Sequence, residues 1–207
     1  MITLAHFYQN EITKTVGGIP DDKKFLGCFK GSVEQQGGLT DFGKNVVSEI
    51  FTKGMVIDLT HCTPKARMEV YDLNKDLRRP LVFSHTGVHA LNNHNMNPTD
   101  AEIKTIAGFG GVIGVIFMNY WLDTGHHDNG LDLIIATIKH IVDKGGIDAV
   151  AIGSDFDGFT DPPDDLKDIS EMPRLPPALA KAGFTANDID KIMGQNALRT
   201  LREGWLA

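Results

Sequence analysis

The chain has 207 residues, 42% of them hydrophobic and 23% charged, enough apolar matter to bury a core as one domain spanning residues 1–207. Its net charge of −7 disfavours nucleic acid or an anionic membrane surface as a partner, since an acidic surface repels both. No apolar run approaches the ~18 residues of a membrane span and no signal-peptide pattern is present, so a cytoplasmic protein is expected. Cys28 and Cys62 make neither a disulfide framework nor a cysteine zinc site.

In chain order, the first apolar run is Ile2 to His6, followed by an irregular, Gly-rich stretch from Thr15 to Gly38. Thr40 can cap a helix with Val46, Val47, Ile50 and Phe51 on its apolar face and Gly54 as its stop. A second run, Met55 to His61, leads to a helix from Pro64 to Leu77, and a third run opens at Pro80 and ends at His85. Thr99 and Glu102 have the spacing of a capping box for a helix that ends at Gly108, Gly110 and Gly111. Val112 to Phe117 is a fourth run, ending at Met118-Asn119-Tyr120. Leu131, Ile134, Ile135, Ile138 and Val142 then mark an amphipathic helix closed by Gly145 and Gly146, and a fifth run covers Ala149 to Asp155. Two short helices, near Thr185 to Met193 and Asn196 to Leu206, complete the chain.

Short apolar runs bounded by turn residues are the pattern of strands buried on both faces, and their alternation with helices implies a parallel sheet. About five strand–helix units are visible, against the eight of a closed barrel. The fold class expected is therefore α/β, a partial TIM-type (β/α) barrel. An open parallel sheet has unpaired edges that invite association, so a homo-oligomer or a partner chain covering the edge is expected.

Parallel barrels do their chemistry where strands end, and four of these runs end in His6, His61, His85 and Asp155. One such histidine is more often a hydrogen-bonded core residue than a ligand, but three imidazoles and a carboxylate at equivalent ends point to one metal centre. Imidazole and carboxylate suit zinc or a similar first-row ion, which activates bound water for hydrolysis. Other polar groups have plainer readings. Asp157 sits in an ordinary turn, His126-His127-Asp128 in a solvated loop, and Cys62 is a small buried rim residue. His89 and His94 follow no pattern, and His140 is read as a surface residue on a helix.

Gly38-Leu39-Thr40-Asp41-Phe42-Gly43, Ile57-Asp58-Leu59-Thr60-His61, Phe83-Ser84-His85-Thr86-Gly87 and Ile152-Gly153-Ser154-Asp155-Phe156-Asp157-Gly158 resemble, in order and spacing, the signature stretches of the membrane (renal) dipeptidase family, peptidase family M19. The likeness continues to Asn196-Ala197-Leu198-Arg199. The resemblance implies an amidohydrolase-type barrel that hydrolyses dipeptides, including ones with a C-terminal D-residue, at a two-zinc centre with a bridging water. It implies His61 and His85 as ligands of one zinc, and Asp155 as ligand of the other and as the group that handles the water's proton. It implies His6 as a substrate contact that stabilises the tetrahedral intermediate. His94, Asn95 and Asn119 are the remaining candidate substrate contacts, with His94 standing where the family pattern has an arginine for the substrate carboxylate.

The family's His-x-Asp pair and a metal-bridging glutamate would precede Met1. The expectation is a zinc-dependent dipeptidase whose activity is impaired, with one zinc or fewer held weakly by this chain. The alternatives are a non-catalytic partial-barrel subunit and another amidohydrolase acting on a lactone, amide or phosphoester.

Overall fold

A computed structural model of the chain describes residues 1–7, 9–16, 37–122, 130–158 and 161–205. Among these residues five strands form one sheet in the order β1-β2-β3-β4-β5: β1 (Ile2–Thr3), β2 (Ile57–Asp58), β3 (Leu81–Thr86), β4 (Val112–Val115) and β5 (Val150–Ile152). Every pairing is parallel. Helix α1 (Asp41–Thr52) joins β1 to β2, α2 (Pro64–Asn74) joins β2 to β3, and α3 (Asp100–Gly108) joins β3 to β4. The short α4 (Asn119–Leu122) and the long α5 (Gly130–Gly145) precede β5, and α6 (Leu175–Lys181), α7 (Ala186–Asp190) and α8 (Asn196–Gly204) follow it. This is the partial (β/α) barrel expected. No helix among the described residues is long and apolar enough to cross a membrane.

The two faces of the sheet explain the unbroken apolar runs. Ile57, Leu81, Phe83, Ile113 and Val150 point into the main core with Val47, Ile50, Ile103, Ile106, Ile134, Ile138 and Ile141 of the helices. Their alternate neighbours Val56, Val82, Val112 and Ala151 form a second cluster, packed by Ala197 and Leu201 of α8. A strand covered on both sides has no polar face to show.

The helices begin where their caps dictate. Thr40, Thr63, Thr99 and Thr185 each accept an amide of the first turn, and Thr99 with Glu102 completes the expected capping box. Two boundaries differ from expectation, the end of α2 and the limits of the strands. Helix α2 stops at Asn74 rather than Leu77, because Arg78 takes a left-handed φ of 51° and Asn74 binds both backbone groups of Arg79. Past α7 the helix winds on as a wider π turn, Lys191–Gln195, which carries it to Met193 as expected before a kink at Gly194 (φ 175°, ψ −28°). The strands are shorter than their runs, so His6, His61 and Asp155 lie past the ladder; φ is 68° at His61 and 57° at Asp155, which no paired strand tolerates. Most of Thr15 to Gly38, with Cys28, and His126-His127-Asp128 fall outside the described residues.

Between α2 and α3 lies a buried ion pair. Arg67 donates from Nε to Glu102 Oε1 at 2.7 Å and from Nη2 to Oε2 at 3.2 Å, a bidentate fork with side-chain exposures of only 1% and 7%. Its Nη1 reaches the carbonyls of Cys62 at 3.3 Å and Asn95 at 2.7 Å, and the guanidinium lies over the Phe83 ring. Tyr71 donates to the same carboxylate at 3.3 Å, and burial raises its phenol above the usual range. On the outside, His140 binds Asp100 at 2.7 Å and is half-buried, a correction to its reading as a plain surface residue.

Candidate metal centre

The C-terminal ends of β1, β2 and β3 are tied together by one buried carboxylate that sequence reasoning did not single out. Asp58, at the end of β2, accepts Thr3 Oγ1 at 2.9 Å, Thr60 N at 3.0 Å and Ser84 N at 2.9 Å. Thr60 Oγ1 in turn accepts Ser84 N at 2.9 Å and Ser84 Oγ at 3.2 Å. The signal was present as Asp-x-Thr-His and Ser-His, polar residues inside apolar strands, which need partners when buried.

This frame holds two imidazoles edge to face, 66° apart, with their Nε2 atoms converging. His61 Nε2 lies 3.1 Å from His85 Nε2. Because Ser84 Oγ donates to Thr60, it is free to accept from His85 Nδ1, 2.8 Å away. That tautomer leaves the His85 lone pair on Nε2, facing His61. The His61 carbonyl is clamped by Val16 N at 2.8 Å and Thr15 Oγ1 at 2.9 Å, which supports the residue's left-handed backbone.

Asp155 and His6 complete the cluster. Asp155 Oδ2 lies 3.8 Å from His85 Nε2, on a turn closed by Gly158 N to the Asp155 carbonyl. The His6 ring lies 4.4 Å from that of His61. Aromatic rings wall the site: Phe7 lies 5.1 Å from His61, and Trp121, which is buried, lies 5.8 Å from His61 and is stacked on His85 at 6.1 Å and 6°. Trp121 and Phe7 were not anticipated, since ring stacking across distant segments leaves no local pattern.

Burial dominates the electrostatics here. It pulls His61 down to about 2, helped by the charges of His85 and His6. It also lowers His85, against the opposing pull of Asp155 and Asp58, and raises Asp155 above the usual carboxylate range. Cys62 is buried beside His61 with its thiol pushed up to about 12, chiefly by burial, so it stays a protonated, inert packing residue.

Two neutral imidazoles are good first-row metal ligands. Two nitrogens at tetrahedral positions around zinc stand about 3.3 Å apart, given Zn–N bonds of about 2.0–2.1 Å. The observed 3.1 Å fits that pair, and His61 Nδ1 is buried without a partner among the described residues. The third donor is not in place: among the described residues no group of three or more His, Cys, Asp or Glu side chains is gathered tightly enough to hold an ion.

The other candidates are tied into the surrounding loops and helices. His94 accepts Met96 N at 3.2 Å, and burial lowers its pKa. Asn95 gives its carbonyl to Arg67. Asn119 donates to the Pro162 carbonyl at 3.3 Å.

Comparison with known proteins places the chain in a lineage. An uncharacterised protein from the pqqA 5′ region of Klebsiella pneumoniae is 36% identical over 182 residues, covering 86% of this chain and 66% of that protein. The dipeptidase tcpJ of Claviceps purpurea is 30% identical over 166 residues, covering 80% of this chain and 38% of the relative. Among solved structures, a metallo peptidase from Rhodobacter sphaeroides, liganded with a phosphinate mimic of L-Ala-D-Ala, superposes with a TM-score of 0.75 at 29% identity, over 81% of this chain and 48% of that one. An amidohydrolase from Pseudomonas aeruginosa superposes with a TM-score of 0.78 at 25% identity, over 98% of this chain and 64% of its own. The chain thus spans between about two fifths and two thirds of the relatives it matches. The sequence profile of the membrane dipeptidase family matches residues 1–204. The chain belongs to the membrane dipeptidase family, peptidase family M19.

Proposed function

We propose that this chain carries the His–His half of a zinc-dependent dipeptidase centre, in which His61 and His85 hold one metal ion at the ends of adjacent strands. The 3.1 Å approach of their Nε2 atoms carries the reading, and the relative liganded with an L-Ala-D-Ala mimic supports dipeptides as the substrate class. A bound zinc would supply an activated water and a Lewis acid for the scissile carbonyl.

The chain's own side chains do the rest. Asp155, its carboxyl raised by burial, is the better matched to accept the proton of attacking water near neutral pH. His6, exposed at the mouth beside His61, is placed to donate to the oxyanion, worth about 3–4 kcal/mol for one such donor. Asn119, His94 and Asn95 are the substrate contacts on the surrounding loops.

With two imidazoles converging and a carboxylate set back, the described donors fall short of the three protein ligands usual for a catalytic zinc. Weak zinc binding and slow turnover by the chain alone follow from that shortfall. The same shortfall favours the second reading, a non-catalytic partial-barrel subunit.

Hydrolysis of L-L and L-D dipeptides by the purified chain with added zinc, beside His85→Ala, separates the two. Zinc-dependent turnover that His85→Ala abolishes supports the dipeptidase reading; a folded chain with no turnover at any zinc concentration supports the subunit. Because β1 and β5 each pair on one side only among the described residues, the assay is run at several chain concentrations, where a rise in specific activity marks completion of the site by association.

A further inference from the structure

Trp121 is the largest of the fully buried side chains, and it lies against the chemistry rather than in the middle of the core. Its indole is parallel to the His85 ring, at 6° and 6.1 Å between centroids, and edge-on to His61 at 5.8 Å. An imidazole has two soft torsions, and Ser84 fixes only one of its nitrogens. A flat aromatic surface on one side of the ring removes the remaining freedom to tilt.

What seats the tryptophan is a carboxamide from another loop. Asn97 is completely buried and has all four of its hydrogen-bonding positions filled. Its Oδ1 accepts Gly87 N at 2.9 Å and Thr86 Oγ1 at 3.1 Å, at the end of the strand that carries His85. Its Nδ2 donates to the Asn92 carbonyl and to the Trp121 carbonyl, each at 3.0 Å. One side chain therefore measures the distance between the end of β3 and the segment that bears the indole. Gly87 belongs to the same seat: a Cβ there would run into the Trp121 carbonyl oxygen.

We infer that Asn97 and Trp121 are positioning residues for His85: Asn97 locks the Trp121 backbone to the end of β3, and the indole holds the His85 ring so that Nε2 faces His61. Both side chains are buried and act through His85. The inference deepens the metal-site reading and rests on it for the role of His85. The ring geometry, however, can be read without metal.

The test uses the full chain in a Trp205→Phe background, where the exposed second tryptophan no longer contributes and all emission comes from Trp121. NMR of the His85 ring protons reads the stacking directly, as an upfield ring-current displacement. Asn97→Ala is expected to shift Trp121 emission to longer wavelength and to reduce that displacement. Trp121→Leu should abolish the displacement, and Trp121→Phe should keep part of it.

Affinity for Co²⁺, used as a spectroscopic substitute for zinc, should fall about tenfold or more in Asn97→Ala and Trp121→Leu, as for other groups that orient metal-binding histidines. Asn74→Ala is the control: it removes an equally buried carboxamide that clamps the Arg79 backbone before β3 begins. It should lower stability while leaving the His85 resonances in place.

The inference is overturned if folded Asn97→Ala keeps wild-type emission and His85 resonances, or if Asn74→Ala moves those resonances equally. It is also overturned if Trp121→Leu leaves them unmoved. A wild-type chain that ignores Co²⁺ while the Asn97 and Trp121 variants still move His85 supports the positioning and refutes the metal reading instead.

Discussion

Arg67→Ala is expected to lower the unfolding free energy by about 3–5 kcal/mol, the cost of leaving one member of a buried ion pair without its partner. The guanidinium is 1% exposed, and it answers the Glu102 carboxylate and the carbonyls of Cys62 and Asn95 together. Removing it strands a charge that Tyr71 and Thr99 cannot neutralise. The pair itself is not expected to be worth that much, since its desolvation offsets most of its attraction. The variant Arg67→Met with Glu102→Gln should therefore recover a large part of the loss, while keeping a side chain that can still cap the Thr99 amide. Urea unfolding of both variants measures this. A loss below about 1 kcal/mol for Arg67→Ala would place the pair with weak surface bridges and contradict the account.

Gly153→Ala should damage the site out of proportion to its size. A Cβ at Gly153 would overlap the backbone carbonyl oxygen of Ser84 and press within 3.1 Å of Gly114 Cα, and a Cβ at Gly114 meets the same carbonyl. These atoms are backbone in a central strand, so they cannot swing aside as a flexible side chain would. Overpacking of this kind costs about 1–3 kcal/mol, occasionally more. The strain falls on the residue next to His85, at the point where the β3–β4 register breaks between Phe83 and Thr86. Co²⁺ affinity is expected to drop together with the melting temperature. Gly108→Ala makes the comparison: nothing lies within 4 Å of a Cβ there, at the exposed end of α3. The added methyl should be neutral or stabilising, by no more than about 1 kcal/mol. Equal effects from the two substitutions would show that space at Gly153 does not matter.

Much of this architecture was legible because local rules and the global fold agree. The apolar runs ending in His61, His85 and Asp155 are strands covered on both faces, and threonines open α1, α2, α3 and α7 where capping chemistry asks for them. The limits of those strands were not legible. A run such as Met55 to His61 reads as one strand, yet only Ile57 and Asp58 pair, because His61 turns into a left-handed conformation that its residue type does not announce. Helix α6, with Pro176 in its first turn, and the four-residue α4 are too short for periodicity to reveal.

In the site, the residues at strand ends could be named one by one, but their supports could not. Asp58, Thr60 and Ser84 act through bonds between strands. Trp121 meets His85 across 36 positions of chain, by a stacking that no spacing encodes. No spacing marks Asn97, and only the three-dimensional arrangement gives its carboxamide four partners.

In the proposed reading, His61 and His85 form one metal site in this chain. Equilibrium dialysis against zinc at neutral pH, with metal analysis of the wild-type chain and of His61→Ala, tests it most directly. The expected result is no more than one ion per chain, weakly held, and its loss in His61→Ala. Two tightly bound zincs per chain, or a zinc that survives the loss of His61, would contradict it.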